Sequence, residues 1–157
     1  MIISEDKKIE ILLEALKERY MSIHTIRERV QNLSLWIIAI FLGVSGYIIE
    51  NNITITYSQK IIYTAIFLLA IFIFRVFYLQ NLEKGFNSQR ITTANIEDSL
   101  ELYKEDIYII GKSIYPKTWR NSGMKGCEGN FFFNNYLLVY FGVVILISII
   151  WLKGVYF

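Results

Sequence analysis

The sequence predicts an all-α membrane protein with three transmembrane helices, the first two of which continue into the cytoplasm as an antiparallel, coiled-coil-like hairpin. Three observations predict this fold: long uncharged apolar segments, an uneven distribution of Lys and Arg, and heptad spacing of apolar residues beside two of those segments. The chain has 157 residues, of which 54% are hydrophobic and 16% aromatic. This composition is too apolar for an ordinary soluble domain of that length.

The predicted elements follow one another along a single membrane domain, residues 1–157. The spans are expected at 33–49, 61–79 and 136–152, since each is close to the roughly 17–25 residues that cross about 30 Å of hydrocarbon as a helix. Charged, periodic sequence precedes the first span, so we expect that span to be retained rather than cleaved as a signal peptide. The remaining elements are a cytoplasmic helix at 5–32, an external loop at 50–60, a cytoplasmic helix at 80–108, a cytoplasmic return loop at 109–135 and an external tail at 153–157.

The orientation in the membrane follows from the basic residues. Lys and Arg are concentrated before the first span and between the second and third. The loop between the first two spans has only Lys60, and the C-terminal tail has only Lys153. Because short loops rich in Lys and Arg stay on the cytoplasmic side, we expect a multi-pass protein of the cell inner membrane with its N-terminus in the cytoplasm and its C-terminus outside.

Both predicted cytoplasmic helices carry apolar residues at alternating spacings of three and four, which is the pattern of a heptad seam. The hairpin seam consists of Leu13, Leu16, Tyr20, Ile23, Ile96, Leu100 and Tyr103. No Pro separates either seam from its span, so each helix is expected to run on from the membrane, with Gly85 and the NSQ run at 87–89 as the weak points of the second. Glu97, Asp98 and Glu101 are expected on the solvated face of that helix.

The spans contain small residues rather than charged ones near their centres. Ala39, Gly43, Ser45 and Gly46 form a candidate helix-packing or pore seam in the first span, because small residues let helices approach closely. Glycine is also frequent in membrane helices in general, so the pattern is equally explained by ordinary membrane-helix composition. The lack of a central ionisable residue argues against a proton relay. Three spans cannot enclose a pathway alone, so conduction would require a homo-oligomer.

The only histidine, His24, follows Arg19 by five residues, which is the spacing of HEPN-type RNase motifs. The pattern is short, and residues five apart on a helix point in different directions, so a surface contact from His24 to Glu28 is the simpler reading. His24 is also a candidate pH switch, since its ordinary pKa is near neutrality. We expect no enzyme activity, with a membrane-tethered RNase as an alternative.

Other chemical signals are weak. Residues 106–113, DIYIIGKS, lack the first glycine of a phosphate-binding loop, and a single cysteine with a single histidine does not make a zinc site, so no cofactor or metal is expected. The return loop combines basic residues with Tyr115 and Trp119. Contact with anionic membrane lipid explains this composition better than binding of a nucleotide signal or RNA, and nothing indicates DNA binding.

The segments KERYMSIHTIRERVQNLSLWIIAIFLGVSGYII and NIEDSLELYKEDIYIIGKSIYPKTW resemble small multi-span membrane effectors of bacterial anti-phage systems, of the SLATT-like group. The resemblance is architectural, covers roughly residues 10–120, and does not include the third span. It implies a membrane effector that oligomerises and disrupts the membrane barrier when a cytoplasmic protein or other signal arrives.

Together these observations lead to one expected function and a contrasting one. The first is an oligomeric inner-membrane protein that forms a pore, such as an ion channel, or perturbs the membrane in antiviral defence. The second is a passive membrane scaffold that recruits a cytoplasmic partner through the predicted hairpin.

Overall fold

A computed structural model describes residues 4–51 and 53–153 of the chain. These residues form four α-helices, namely α1 (Glu5–Glu50), α2 (Tyr57–Phe74), α3 (Gln80–Ser99) and α4 (Phe131–Leu152). They group into two compact units: unit 1 is Met1–Glu28 with Leu82–Gly129, and unit 2 is Arg29–Asn81 with Asn130–Phe157. Asn52 of the predicted external loop and residues 154–157 of the predicted external tail lie outside the described residues.

The all-helical, three-span prediction is confirmed at the level of secondary structure. Three helices are long and apolar enough to cross a membrane: Glu5–Glu50, Tyr57–Ser99 and Phe131–Leu152. Large apolar side chains such as Trp36, Leu69 and Phe72 lie on the outer surface of unit 2. This exposure is typical of helices whose outer faces contact lipid rather than water.

The core of unit 2 is built mainly by α4. Leu146 and Ile150 pack with Ile48 of α1, and Val139 and Val143 pack with Ile71 of α2. The faces of α1 and α2 that meet α4 are therefore the buried ones in unit 2, and their other faces there are largely exposed.

The helix that contains the start of the second predicted span, residue 61, begins at Tyr57. The backbone N–H of Thr56 donates to the side chain of Gln59 over 3.0 Å, which satisfies a donor just before the helix begins. After α2, residues Arg75–Leu79 adopt π-helical geometry, and α3 then passes through Gly85 without a break.

In unit 1, α3 ends at Ser99, well short of the predicted end at 108. Leu102 N–H donates to Glu97 O and Glu101 N–H to Asp98 O, both over 3.0 Å, while Glu101 takes a left-handed φ of 60°. These two bonds are those of a Schellman motif, in which a left-handed residue stops the helix. The heptad positions Leu100 and Tyr103 therefore lie in the turns after α3.

Residues 109–130, which we call the return segment, pack onto α3 through specific contacts. Gly123 has a φ of +90°, and a Cβ there would lie 2.6 Å from the carbonyl oxygen of Asn87 and 2.8 Å from Cβ of Arg90. The Arg90 guanidinium donates to Ser122 Oγ over 2.7 Å. Only glycine permits this close approach, and the neighbouring hydrogen bond fixes it in place.

Candidate functional site

A buried carboxylate organises the polar interior of unit 1. The residue Glu97 on α3 is only 3% exposed. Its Oε1 accepts a hydrogen bond from the Tyr20 hydroxyl of α1 over 2.6 Å, and its Oε2 accepts one from the Tyr103 hydroxyl. The expectation that Glu97 lies on a solvated face is therefore wrong, because the two phenols offer the carboxylate donors that water would otherwise supply.

Aromatic rings from the return segment extend this cluster. The hydroxyls of Tyr115 and Tyr20 lie 3.3 Å apart, and Tyr115 N–H donates to Leu102 O over 3.1 Å. The Tyr115 ring centroid is 6.3 Å from that of Tyr103 and 5.8 Å from that of Trp119. We call the five residues Tyr20, Glu97, Tyr103, Tyr115 and Trp119 the tyrosine cluster.

The environment of the tyrosine cluster raises the pKa of two of its phenols, those of Tyr20 and Tyr103. Burial is the main reason that the pKa of Tyr20 is raised above its ordinary value of 10.0, followed by the hydrogen bonds to Glu97 and Tyr115. Burial and then the hydrogen bond to Glu97 likewise raise the pKa of Tyr103. Both side chains are therefore hydrogen-bond donors at neutral pH, which suits a structural lock between α1 and α3 better than proton abstraction.

Ion pairs connect the return segment to the elements around the cluster. Arg120 Nη2 lies 2.8 Å from Asp98 Oδ2, and Lys117 Nζ lies 2.9 Å from Glu105 Oε1. Two of the basic side chains expected to face lipid or a nucleotide thus have carboxylate partners inside unit 1.

The Arg19 and His24 side chains have different partners. Arg19 Nη1 donates to Gln89 Oε1 of α3 over 2.9 Å. The His24 side chain is 74% exposed, and its Nε2 lies 3.2 Å from Glu28 Oε1 one turn along α1. The two side chains of the RNase-like spacing are therefore directed to separate contacts within one chain.

The residues of the predicted hairpin seam differ in burial. Leu16, Ile23, Leu100 and Tyr103 are buried, and Tyr20 and Ile96 are partly buried. Leu13 is 53% exposed. The buried part of the seam therefore begins at Leu16, and the first turns of α1 carry apolar side chains on the surface.

The predicted small-residue seam of the first span divides between two faces of α1. Ala39, Gly43 and Gly46 are exposed, and a Cβ added at Gly43 or Gly46 would meet nothing within 4 Å. Ser45 is buried at 3% exposure, and its Oγ has no hydrogen-bond partner among the described residues. We call Ala39, Gly43 and Gly46 the small-residue face.

Close packing inside unit 2 depends on a different glycine. A Cβ at Gly142 of α4 would lie 3.2 Å from Phe41 Cδ2 and 3.4 Å from Ile38 Cγ1 of α1. The α1–α4 contact therefore uses Gly142, and the small-residue face stays exposed in the part of the chain that the structure describes.

Two lysines stabilise helix ends in unit 2. The buried Lys60 at the start of α2 donates from Nζ to the carbonyl oxygen of Trp151 over 3.1 Å, and Lys153 donates to the carbonyls of Ile48 and Ile49. Trp151 Nε1 donates to Thr64 Oγ1 over 3.0 Å. The C-termini of α1 and α4 thus meet the start of α2, where cations offset the helix dipoles.

At the other end of α2, Arg75 is held by aromatic side chains of α4. Its Nη1 donates to the Tyr140 hydroxyl over 2.9 Å, and its guanidinium carbon lies 5.5 Å from the centre of the Tyr136 ring. The hydroxyl and the aromatic ring compensate the positive charge of the Arg75 guanidinium within unit 2. Arg75 is the first residue of the π-helical segment.

Sequence reasoning identifies some of these groups and misses the central one. The heptad pattern identifies Tyr20 and Tyr103 but not Glu97, which follows the seam residue Ile96 in the sequence. The signal that could have indicated Glu97 is a carboxylate next to a seam position, with two tyrosines in the same seam as hydrogen-bond donors. Tyr115 and Gly142 stand out in the sequence as an aromatic residue of the return loop and a small residue of the third span, but the neighbours that they contact depend on tertiary packing.

Comparisons with protein-family models, with curated proteins and with solved structures find no match for this chain.

Proposed function

We propose that this chain is an oligomeric protein of the bacterial inner membrane that opens a pore or perturbs the membrane as an effector of antiviral defence. The observation that supports it is the small-residue face of α1: its three residues are exposed, and among the described residues no atom lies within 4 Å of a Cβ added at Gly43 or Gly46. Small residues let helices of neighbouring copies approach closely in a membrane, where close packing rather than the hydrophobic effect drives association.

The continuity of α1 offers a route by which a cytoplasmic signal could act on that face. One helix, Glu5–Glu50, supplies Tyr20 to the tyrosine cluster and Gly43 to the small-residue face. We propose that α1 and α3 pair as an antiparallel, coiled-coil-like hairpin on the cytoplasmic side, with the tyrosine cluster as its lock. A protein or nucleotide that loosens the lock would shift α1 as a whole.

Enlarging the small-residue face tests the proposal. Gly43→Leu should reduce both the native mass of the solubilised protein and dye leakage from reconstituted liposomes, because the added side chain keeps neighbouring helices apart. The fold of the single chain should persist, since the site is open. Val44→Phe is the matched control: Val44 is exposed on the same helix but lies about 100° around its axis from Gly43 and further still from Ala39 and Gly46.

Two results would count against the proposal. A wild-type protein that is monomeric and causes no leakage, with or without the products of neighbouring genes, rules out the pore. Equal losses for Gly43→Leu and Val44→Phe would show that the small-residue face is not the contact.

A further inference from the structure

An apolar turn stands out on the surface of unit 1. Ile109 and Lys112 bracket a turn in which Lys112 N–H donates to Ile109 O over 3.2 Å and Gly111 has a φ of +71°. Ile110 at its tip is 96% exposed, and Ile107 and Ile109 beside it are about half exposed. We call Ile107–Lys112 the apolar turn.

The exposure of the apolar turn is built into the fold. Asp106 Oδ1 accepts a hydrogen bond from Gly111 N–H over 2.6 Å, and the Tyr108 hydroxyl donates to Leu100 O over 2.8 Å. These bonds hold Ile110 outward before any partner arrives, so docking would cost little ordering of the chain.

The first turns of α1 offer a complementary surface. Ile9 and Leu13 are exposed, and they continue the stripe whose next members, Leu16 and Ile23, are buried. Carboxylates follow each of them in the sequence, at Glu10 and Glu14, and both positions are exposed. This ridge is therefore apolar along its crest, with Glu10 and Glu14 beside it and the exposed Lys17 one turn beyond Leu13.

We propose that the apolar turn of one copy docks on the ridge around Ile9 and Leu13 of a neighbouring copy. Ile110 would cover Leu13, and Lys112 would meet Glu10 or Glu14. Ile110 and Leu13 are both exposed within one chain, so they do not cover each other there. The contact joins two different surfaces and is heterologous, so it closes into a ring or extends as a filament.

Charge complementarity favours this occupant. Within the chain Glu105 pairs with Lys117 and Asp106 accepts a hydrogen bond from Gly111 N–H, so the charge that the apolar turn itself presents is that of the exposed Lys112. Glu10 and Glu14 of a neighbouring copy carry the opposite charge, whereas two turns facing each other would bring their Lys112 side chains together. Insertion of the turn into lipid is the outcome that the quenching measurement below detects.

Cysteine cross-linking tests the pairing on the full-length protein in membranes. In a Cys127→Ser background, one tagged copy carries Ile110→Cys and a differently tagged copy carries Leu13→Cys. Oxidation should give the mixed disulfide dimer, since bond formation requires the two Cβ atoms to lie about 3.5–4.5 Å apart. Met21→Cys replaces Leu13→Cys in the control, because Met21 is equally exposed on α1, and it should not cross-link.

Charge reversal provides the second arm. Lys112→Glu should weaken self-association, and adding Glu10→Lys and Glu14→Lys to it should restore association. Ile110→Ser should weaken association about tenfold through loss of apolar burial. None of these four positions is buried, so the variants should keep the thermal stability of the single chain.

Several outcomes would overturn the docking. They are a dominant Ile110→Cys homodimer, equal cross-linking to Met21→Cys, or quenching of a fluorophore on Ile110→Cys by lipid-borne quenchers. The docking rests on the oligomer of the proposed function, but the two fail separately. Mixed dimers without dye leakage retain this interface and reject the pore, whereas leakage without mixed dimers does the reverse.

Discussion

Glu97 shows how a single buried charge can set the arrangement of three chain segments. Its two oxygens accept hydrogen bonds from Tyr20 before the membrane span of α1 and from Tyr103 after α3. Replacing a buried polar network by apolar residues is often neutral for stability, but removing one partner leaves a polar group unsatisfied. The cluster therefore specifies which residues of α1 and α3 meet more than it adds to total stability.

Removing the phenols should alter stability in a pH-dependent way. Tyr20→Phe or Tyr103→Phe should each cost about 1–3 kcal/mol near neutral pH, because Glu97 loses a donor. The folded-state pKa of both tyrosines lies above the ordinary value of 10.0, so their contribution is complete below about pH 10 and is lost as pH rises toward the folded pKa.

Thermal unfolding in detergent across neutral to alkaline pH checks this prediction. The double variant Tyr20→Phe, Tyr103→Phe should show a shallower loss of stability above about pH 10 than the wild type. Tyr47→Phe is the control, since Tyr47 is exposed in unit 2 and should leave the profile unchanged. Parallel profiles for wild type and double variant would exclude the tyrosines as the cause.

Among the secondary-structure elements, the end of α3 is the clearest departure from the sequence pattern. The heptad spacing continues through Leu100 and Tyr103, which is why the sequence predicts a helix to 108. The chain instead turns at Glu101, a residue with no intrinsic preference for left-handed φ. Helix length and apolar spacing are local properties and are predictable, whereas this turn is set by packing of the return segment and is not.

The packing of that return segment on α3 gives a matched pair of glycine variants. Gly123 and Gly126 both have positive φ, at +90° and +85°, but only at Gly123 would a Cβ approach backbone and side-chain atoms of α3. Both Ala variants place a Cβ on a residue with left-handed φ, which is unfavourable to a similar degree in each. Gly123→Ala should cost a further 1–3 kcal/mol or so, because the Asn87 carbonyl cannot move without distorting α3.

Thermal unfolding of the two glycine variants side by side measures the difference. Loss of the Arg90 to Ser122 hydrogen bond should accompany Gly123→Ala, so protease cleavage in the return segment should also increase. Equal stability of the two variants would show that the segment does not depend on this close approach.

At the scale of the whole molecule, composition predicts the membrane spans, but it does not predict which residues of the spans contact one another. Residues 33–49 and 136–152 lie within helices of the structure because twenty or so apolar residues have few alternatives to a helix in hydrocarbon. The small-residue seam, by contrast, was predicted as one surface and is split, since Ser45 faces the interior of unit 2 and Gly43 does not. Periodicity finds a face but does not say which neighbour covers it.

The distribution of Lys and Arg leads to a topology that the single cysteine can test. Cys127 is exposed in unit 1 and is predicted to lie in the cytoplasm, whereas the exposed Ser58 at the start of α2 is predicted to lie outside. A membrane-impermeant maleimide added to intact cells that express the protein should leave Cys127 unlabelled until the membrane is permeabilised. Ser58→Cys in a Cys127→Ser background should be labelled without permeabilisation, and Cys127→Ser alone should stay unlabelled throughout. Labelling of Cys127 in intact cells would invert the topology and move the tyrosine cluster and the apolar turn to the outer side.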